Sequence, residues 1–285
     1  MDLLENASLF MWSNARLVDR HHFAFLFDDG PGGAVHAALR AYQNEDGGYG
    51  NGLEPDIRCP HSQPPAIAFA LRVMTSVGAD LPALERLCGY LTTITTADGG
   101  IPGVLPSVMA YPRAPWWRAG ENPPADLNMT ATIAGYLHSL GIDHPWLGPA
   151  AEFCWRGIAT SDTVEVHELI AMVTFLEHVP DRLRAERESA LLADRLRGAV
   201  ALDPQAPGYV KKPLDFAPWP ESLCRRLFED EVMEAHLDAL ASRQQPDGGW
   251  PVTWQQISPA AEQEWRGWLT VDALRVLKAY GRLGS

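Results

Sequence analysis

The sequence predicts an all-α chain, an (α/α)6 toroid with one incomplete helix pair, as a single domain over residues 1–285. Three observations predict it. Apolar residues recur at three- and four-residue spacing nearly everywhere, alternating β-branched runs are missing, and an Asp-Gly-Gly turn returns with a period of about 50 residues.

The elements follow from that spacing. Leu3, Leu4, Ala7, Phe10, Met11 and Val18 lie on one face of a helix over 3–25, followed by a second over 31–43. Further helices are expected at 65–77, 82–96, 126–140, 146–158, 163–178, 181–199, 221–228, 230–244 and 262–281. Those at 65–77, 126–140 and 163–178 are apolar on most faces, whereas 82–96, 181–199 and 230–244 carry Arg, Glu and Asp on one side. Two concentric layers, inner and outer, account for that difference. The turns close outer helices: Asp46-Gly47-Gly48-Tyr49, Asp98-Gly99-Gly100-Ile101 and Asp247-Gly248-Gly249-Trp250. The first two Asp are 52 residues apart and the last two 149, nearly three units, so decayed copies are expected near 160 and 200. Glycine just past a helix end supplies positive φ, and the Asp can bond the turn.

Composition limits the function. A formal net charge of −13 with no basic patch argues against nucleic-acid binding. Cys59, Cys88, Cys154 and Cys224 are far apart, which suits a reducing compartment better than a disulfide framework or a zinc ribbon. The N-terminus shows no basic region before an apolar core, and no apolar run reaches the roughly 18 residues of a membrane span. A cytoplasmic protein is expected.

The segments ending Gln43 to Tyr49, Asp98 to Ile101 and Gln245 to Trp250 resemble the "QW" repeats of the prenyltransferase and squalene-cyclase superfamily. The resemblance implies a Gln at an outer helix end and an aromatic stacked on the neighbouring repeat. Position 250 keeps the Trp, position 49 has Tyr, and position 101 has lost the aromatic. It also implies a protein that binds or transforms an apolar, isoprenoid-type small molecule in a central cavity. The class II Asp-x-Asp-Asp acid is missing: the comparable stretch, Asp126-Leu127-Asn128-Met129, places an amide at the proton donor, and Asp126 reads equally well as a helix N-cap.

Four long segments, 44–64, 97–125, 200–220 and 245–261, join outer helices to inner ones and hold 17 of the 23 prolines and five of the ten tryptophans. Loops of that length are usually functional. Within them Glu54 and Asp56 bracket a proline and offer paired carboxylates for acid–base work, with His61 close in sequence. The catalytic candidates are therefore Glu54, Asp56, His61 and Asp126. Substrate-binding candidates are Trp116, Trp117, Arg118, Tyr209, Lys211, Trp219, Glu221 and Trp254. Asp56, Cys59 and His61 could form a zinc site, and the acidic run Glu229 to Glu234 is the nearest candidate for magnesium and diphosphate, but neither has the spacing of a known motif. No metal or cofactor is assigned. Two other readings stay open: a carbohydrate-active (α/α)6 enzyme with paired carboxylates and Trp platforms, and a non-catalytic binding ring.

Overall fold

The computed structural model describes residues 2–283, and the described residues form helices and no named strand. In chain order the α-helices are α1 (Leu3–Asn14), α2 (Leu17–Phe27), α3 (Gly32–Arg40), α4 (Pro64–Val77), α5 (Leu81–Ile94), α6 (Leu127–Ser139), α7 (Leu147–Thr160), α8 (Val166–His178), α9 (Arg182–Ala199), α10 (Pro213–Phe216), α11 (Asp230–Ser242) and α12 (Pro259–Ala279). The all-α, helix-pair class expected from the sequence is what the chain adopts. It divides into two compact units: a central unit, His36–Leu192, and a terminal unit in which Met1–Val35 joins Ala193–Ser285.

In the central unit the alternate helices α4, α6 and α8 pack side by side with α6 in the middle, and α7 packs against α6 and α8. Their apolar character explains the arrangement, since Ile67, Leu71, Met74, Ile133, Leu137, Leu169, Met172 and Phe175 are all buried. The approach of α6 to α8 is close because position 135 is glycine: a Cβ there would lie 2.7 Å from the Thr174 carbonyl oxygen. In the terminal unit α12 packs on α1, α2 and α11. Its core joins Phe10, Met11, Phe23, Leu237, Trp250, Val271 and Leu274.

Two expected helices differ. The one over 3–25 is broken at Ala15 and Arg16, which both take extended backbone, ψ 157°. Asn14 donates its side-chain amide to the Phe10 carbonyl at 3.2 Å, a local bond that competes with the helix ladder. Arg16 then clamps Asp19 in the first turn of α2, and Arg20 bonds back to the Ala15 carbonyl at 2.7 Å. The helix expected at 221–228 is reduced to a 3-10 turn, Arg225–Leu227. Its backbone bonds run only to the third residue back, from Arg225 to Ser222 and from Leu227 to Cys224. A segment this short, directly after Pro218 and Pro220, does not recover the cost of starting an α-helix.

The repeat is real and has a common geometry. Gly47, Gly99 and Gly248 sit at φ 92°, 93° and 91°, each against a backbone carbonyl of another outer helix: Arg86 of α5, Pro149 of α7 and Asn6 of α1. Ile101 and Trp250 donate their N–H groups to Thr130 and Thr270 hydroxyls, both at 3.0 Å. The Gln that bridges is Gln43 in the first copy, with its amide nitrogen on the Gly47 and Ala83 carbonyls. In the last copy it is Gln244, on the Gly248 and Leu3 carbonyls, and not Gln245, whose amide turns to its neighbour Arg243. Counting back three residues from Asp46 and Asp247 gives that register. α7 and α9 end at Thr160 and Ala199, where the period places its decayed copies.

Candidate functional site

In the central unit the two long connections, 44–64 and 97–125, interlock ahead of α4 and α6. Ile57 and Arg113 form an antiparallel bridge, Arg58 N–H donates to the Pro112 carbonyl at 3.0 Å, and Ala114 N–H donates to the Asp56 carbonyl at 2.9 Å. A small apolar core of Ile57, Cys59, Val104 and Val108, covered by Tyr111, Trp117 and Ala119, holds the loops together. Arg113 stitches its own loop by donating to the Met109, Tyr111 and Trp117 carbonyls.

Gln63, which precedes α4, is fully buried and ties the loops across this core. Its amide nitrogen donates to the Ser107 hydroxyl at 2.8 Å, and its oxygen accepts the Leu105 N–H at 2.9 Å. Sequence reasoning passed over it, because a lone Gln before two prolines carries no motif. Replacing Gln63 with Ala leaves the Leu105 donor and the Ser107 hydroxyl short of a partner and opens a void. A loss of about 3 kcal/mol in urea unfolding is expected. A loss under about 0.5 kcal/mol would show that the loops are held elsewhere.

The loop pair brings Glu54, Asp56, His61, Trp116, Trp117, Arg118 and Asp126 into one unit. Glu54-Pro55-Asp56-Ile57 is a tight turn closed by the Ile57 N–H on the Glu54 carbonyl at 3.1 Å. Pro55 stands in the position where its fixed φ favours such a turn. Both carboxylates are buried, Glu54 to 3% exposure and Asp56 to 1%. His61 is exposed, with its ring nitrogen 3.4 Å from the Tyr111 hydroxyl. Cys59 turns inward and donates to the Ser107 carbonyl, so Asp56, Cys59 and His61 do not converge. Among the described residues no group of three or more His, Cys, Asp or Glu is placed to hold a metal. Trp116 stands 53% exposed, Trp117 packs on the loop core, and Arg118 donates to its local Pro115 carbonyl. The Tyr49 hydroxyl and the Trp117 indole N–H are buried with no hydrogen-bond partner among the described residues.

Asp126 is the N-cap of α6, accepting the Met129 N–H at 2.7 Å. Burial pushes its carboxyl up from the usual aspartate value, against the pull of the Met129 N–H and with a push from Glu165. A raised folded-state pKa means that ionising Asp126 costs stability. That cost is absent below the unfolded value, grows as pH rises through the window between the two, and is complete above the folded one. Asp126→Asn keeps the cap and cannot ionise, so it should gain on the wild type in urea unfolding between pH 4 and pH 7. Asp126→Ala should lose about 1 kcal/mol at either pH. An Asn variant that fell behind the wild type as pH rises would reverse the sign.

The terminal unit holds Tyr209, Lys211, Trp219, Glu221 and Trp254. Trp254 contacts Tyr209 and Trp265 edge-on, with ring centroids 5.4 and 4.9 Å away and planes 77° and 82° apart. The Lys211 ammonium lies 5.1 Å over the Tyr209 ring and 3.3 Å from Asp215. Burial alone would depress that lysine, but Asp215 and Tyr209 outweigh it and hold it above the usual range. Trp219 donates its backbone N–H to the Ser222 hydroxyl and Glu221 is exposed, and among the described residues neither hydrogen-bonds to this cluster. Trp265 was not singled out by sequence because it sits inside a helical run.

Also missed was Asp19 on α2, 2% exposed and bonded to Arg16 at 2.7 Å, whose carboxyl burial raises against the pull of Arg16. An Arg and an Asp three residues apart was the only signal. The acidic run is surface chemistry, as Asp230 pairs with Arg225 and Glu234 with Arg282. A cavity of about 380 Å³ lies at the third turn, lined by Gln245, Pro246, Asp247, Pro251, Val252, Glu262 and Arg266. Asp247 and Arg266 make a two-bond ion pair there, at 2.6 and 2.8 Å, so this cavity is polar. All four cysteines are free and buried, and no helix is long and apolar enough to cross a membrane among the described residues.

No family model and no curated protein matches the chain. Among solved structures, it is similar to a glycosidase carrying a glutamate-to-alanine substitution, at 14% identity over the whole of both chains with a TM-score of 0.46. It is likewise similar to a glycosidase with a substitution of the same kind in complex with glucose, at 13% identity over the whole of both chains with a TM-score of 0.44. These findings correct the expected prenyltransferase and squalene-cyclase membership and the isoprenoid activity drawn from it. The physical reason is visible in the repeats. Their Gln and Gly positions dock each turn on a neighbouring helix, and position 101 or 250 bonds a threonine of α6 or α12, which says nothing of isoprenoids, and Asp126 is occupied as a cap.

Proposed function

We propose that the chain is a carbohydrate-active α/α enzyme acting on glycosidic bonds, with Glu54 and Asp56 as its carboxylate pair. The carrying observation is that one four-residue turn buries both acids, to 3% and 1% exposure, inside a loop pair whose apolar core is covered by Tyr111 and Trp117. Glycoside hydrolysis needs two carboxyl groups in unlike surroundings, one to protonate the leaving oxygen and one to act as base or nucleophile. Pro55 makes the turn rigid, so the two acids keep their separation without ordering cost on binding. Trp116, half exposed at the surface of the same loop pair, offers a flat apolar face of the kind on which a sugar ring lies. The orphaned Tyr49 hydroxyl and Trp117 N–H are donors that sugar hydroxyls or ordered water would satisfy. The four buried thiols suit a reducing compartment, which extends the reading to a cytoplasmic enzyme.

The test is release of reducing sugar from a panel of neutral α- and β-linked di- and oligosaccharides. The wild type should turn over at least one of them, and the double variant Glu54→Gln, Asp56→Asn should turn over none while keeping its circular dichroism. A wild type inert towards the whole panel, or a double variant as active as the wild type, would defeat the proposal.

A further inference from the structure

We infer that the terminal unit carries a binding site for a neutral pyranose, built from Tyr209, Trp254 and Trp265 with Lys211, Asp215 and Gln256. The choice of a sugar rests on the proposed carbohydrate activity, while the site itself rests on its own geometry.

Three rings meet in sequence at near right angles: Tyr209 to Trp254 at 77° and Trp254 to Trp265 at 82°. They come from distant stretches of chain, since Tyr209 lies before α10, Trp254 in the loop before α12 and Trp265 within α12. Solvent reaches the cluster, because Tyr209 is 46% exposed and both tryptophans are only partly buried. An aromatic cluster left open to water on a soluble unit loses burial energy that a bound apolar face would recover. The C–H face of a pyranose is such a face, and it needs hydrogen-bonding groups at its edge.

Those groups are present. Lys211 and Asp215 form an ion pair beside the Tyr209 ring, offering donor and acceptor together with no net charge. Gln256 gives its amide nitrogen to the Trp254 carbonyl at 3.2 Å, while its buried amide oxygen has no hydrogen-bond partner among the described residues. Turning that amide toward a ligand hydroxyl forfeits one long bond and satisfies an unmet acceptor.

The charge pattern selects the ligand. Aromatic rings meeting edge to face could also form a cage for a quaternary ammonium. Here the Lys211 ammonium already lies over Tyr209 and would repel a second cation. An anionic sugar would have to displace Asp215 from Lys211. A neutral pyranose meets neither penalty.

The experiment is saturation-transfer NMR and titration of the full chain with cellobiose, maltose and, separately, tetramethylammonium chloride. Saturation transfer to pyranose ring protons is expected, with binding at least tenfold weaker in Tyr209→Ala and in Trp254→Ala. Tyr209 is exposed, so its variant should fold, and Trp254→Phe, which keeps a ring, should retain most of the affinity. No transfer to either sugar, affinity unchanged in both Ala variants, or tighter binding of tetramethylammonium would overturn the inference. The two readings fail separately. Sugar binding that depends on Tyr209 in a protein that hydrolyses nothing sinks the enzyme and leaves this site. Hydrolysis by a protein whose sugar binding ignores Tyr209 and Trp254 does the reverse.

Discussion

Gly248→Ala should destabilise the terminal unit by about 4 kcal/mol and lower its melting temperature by about 10 °C. Two costs add. Position 248 sits at φ 91°, where a side chain on an L-residue costs roughly 1–2 kcal/mol. A Cβ there would also lie 2.0 Å from the Asn6 carbonyl oxygen and 2.5 Å from its carbon. Both are backbone atoms of α1, so no side chain can swing clear. Relief requires α1 to move, which would strain the bond from the Gln244 amide to the Leu3 carbonyl at 2.8 Å. Gly78→Ala is the control: its φ is 106° but nothing lies within 4 Å of the added carbon, so only the torsional cost of roughly 1–2 kcal/mol remains. Urea unfolding of the two variants separates the terms. Equal losses would show that the third turn is not docked on α1.

Glu54→Gln and Asp56→Asn should each lower kcat by a factor of about 10² to 10⁴ with little change in KM, once a substrate is in hand. Each replacement keeps the side-chain volume, so the 3% and 1% exposed sites stay filled and the melting temperature should move little beside the change in rate. What is lost is the ability to give or take a proton, which matters only in the transition state. Substrates with activated leaving groups tell the roles apart. A dinitrophenyl glycoside leaves without protonation, so the variant lacking the general acid should recover most of its rate on it, and the variant lacking the base or nucleophile should not. If both single variants keep kcat within threefold of the wild type on every substrate, the pair is structural.

The helices α4 to α9 and α11 lie within a few residues of where apolar spacing puts them, because a helix that buries one face must repeat its apolar residues at that period. The Asp-Gly-Gly turns were legible for a similar reason: positive φ just past a helix end is tolerated by few residues other than glycine. The break at Ala15 was not. It depends on a side-chain bond from Asn14 and on an ion pair between Arg16 and Asp19, and neither perturbs the apolar period of 3–25. The repeat also misled. Its Gln and aromatic positions resemble a superfamily because docking a turn on neighbouring helices needs such residues whatever the protein binds.

Of the candidate site, the addresses Glu54, Asp56 and Trp116 could be read from proline, acid and tryptophan gathered in long connections. Their burial could not. Glu54 and Asp56 are acids in a polar run, and only the second loop, arriving through Ile57–Arg113 and clasped by Gln63, covers the turn that carries them. Tyr209, Trp254 and Trp265 likewise lie up to 56 residues apart and become one cluster only when α12 is in place. The sequence by itself determined that the chain is helical, repeated, acidic and punctuated by glycine, since those follow from local periodicity, charge and torsional freedom. Which acids are buried, which rings meet and which Gln bridges were decided by tertiary structure, because each depends on contacts between residues far apart in the chain.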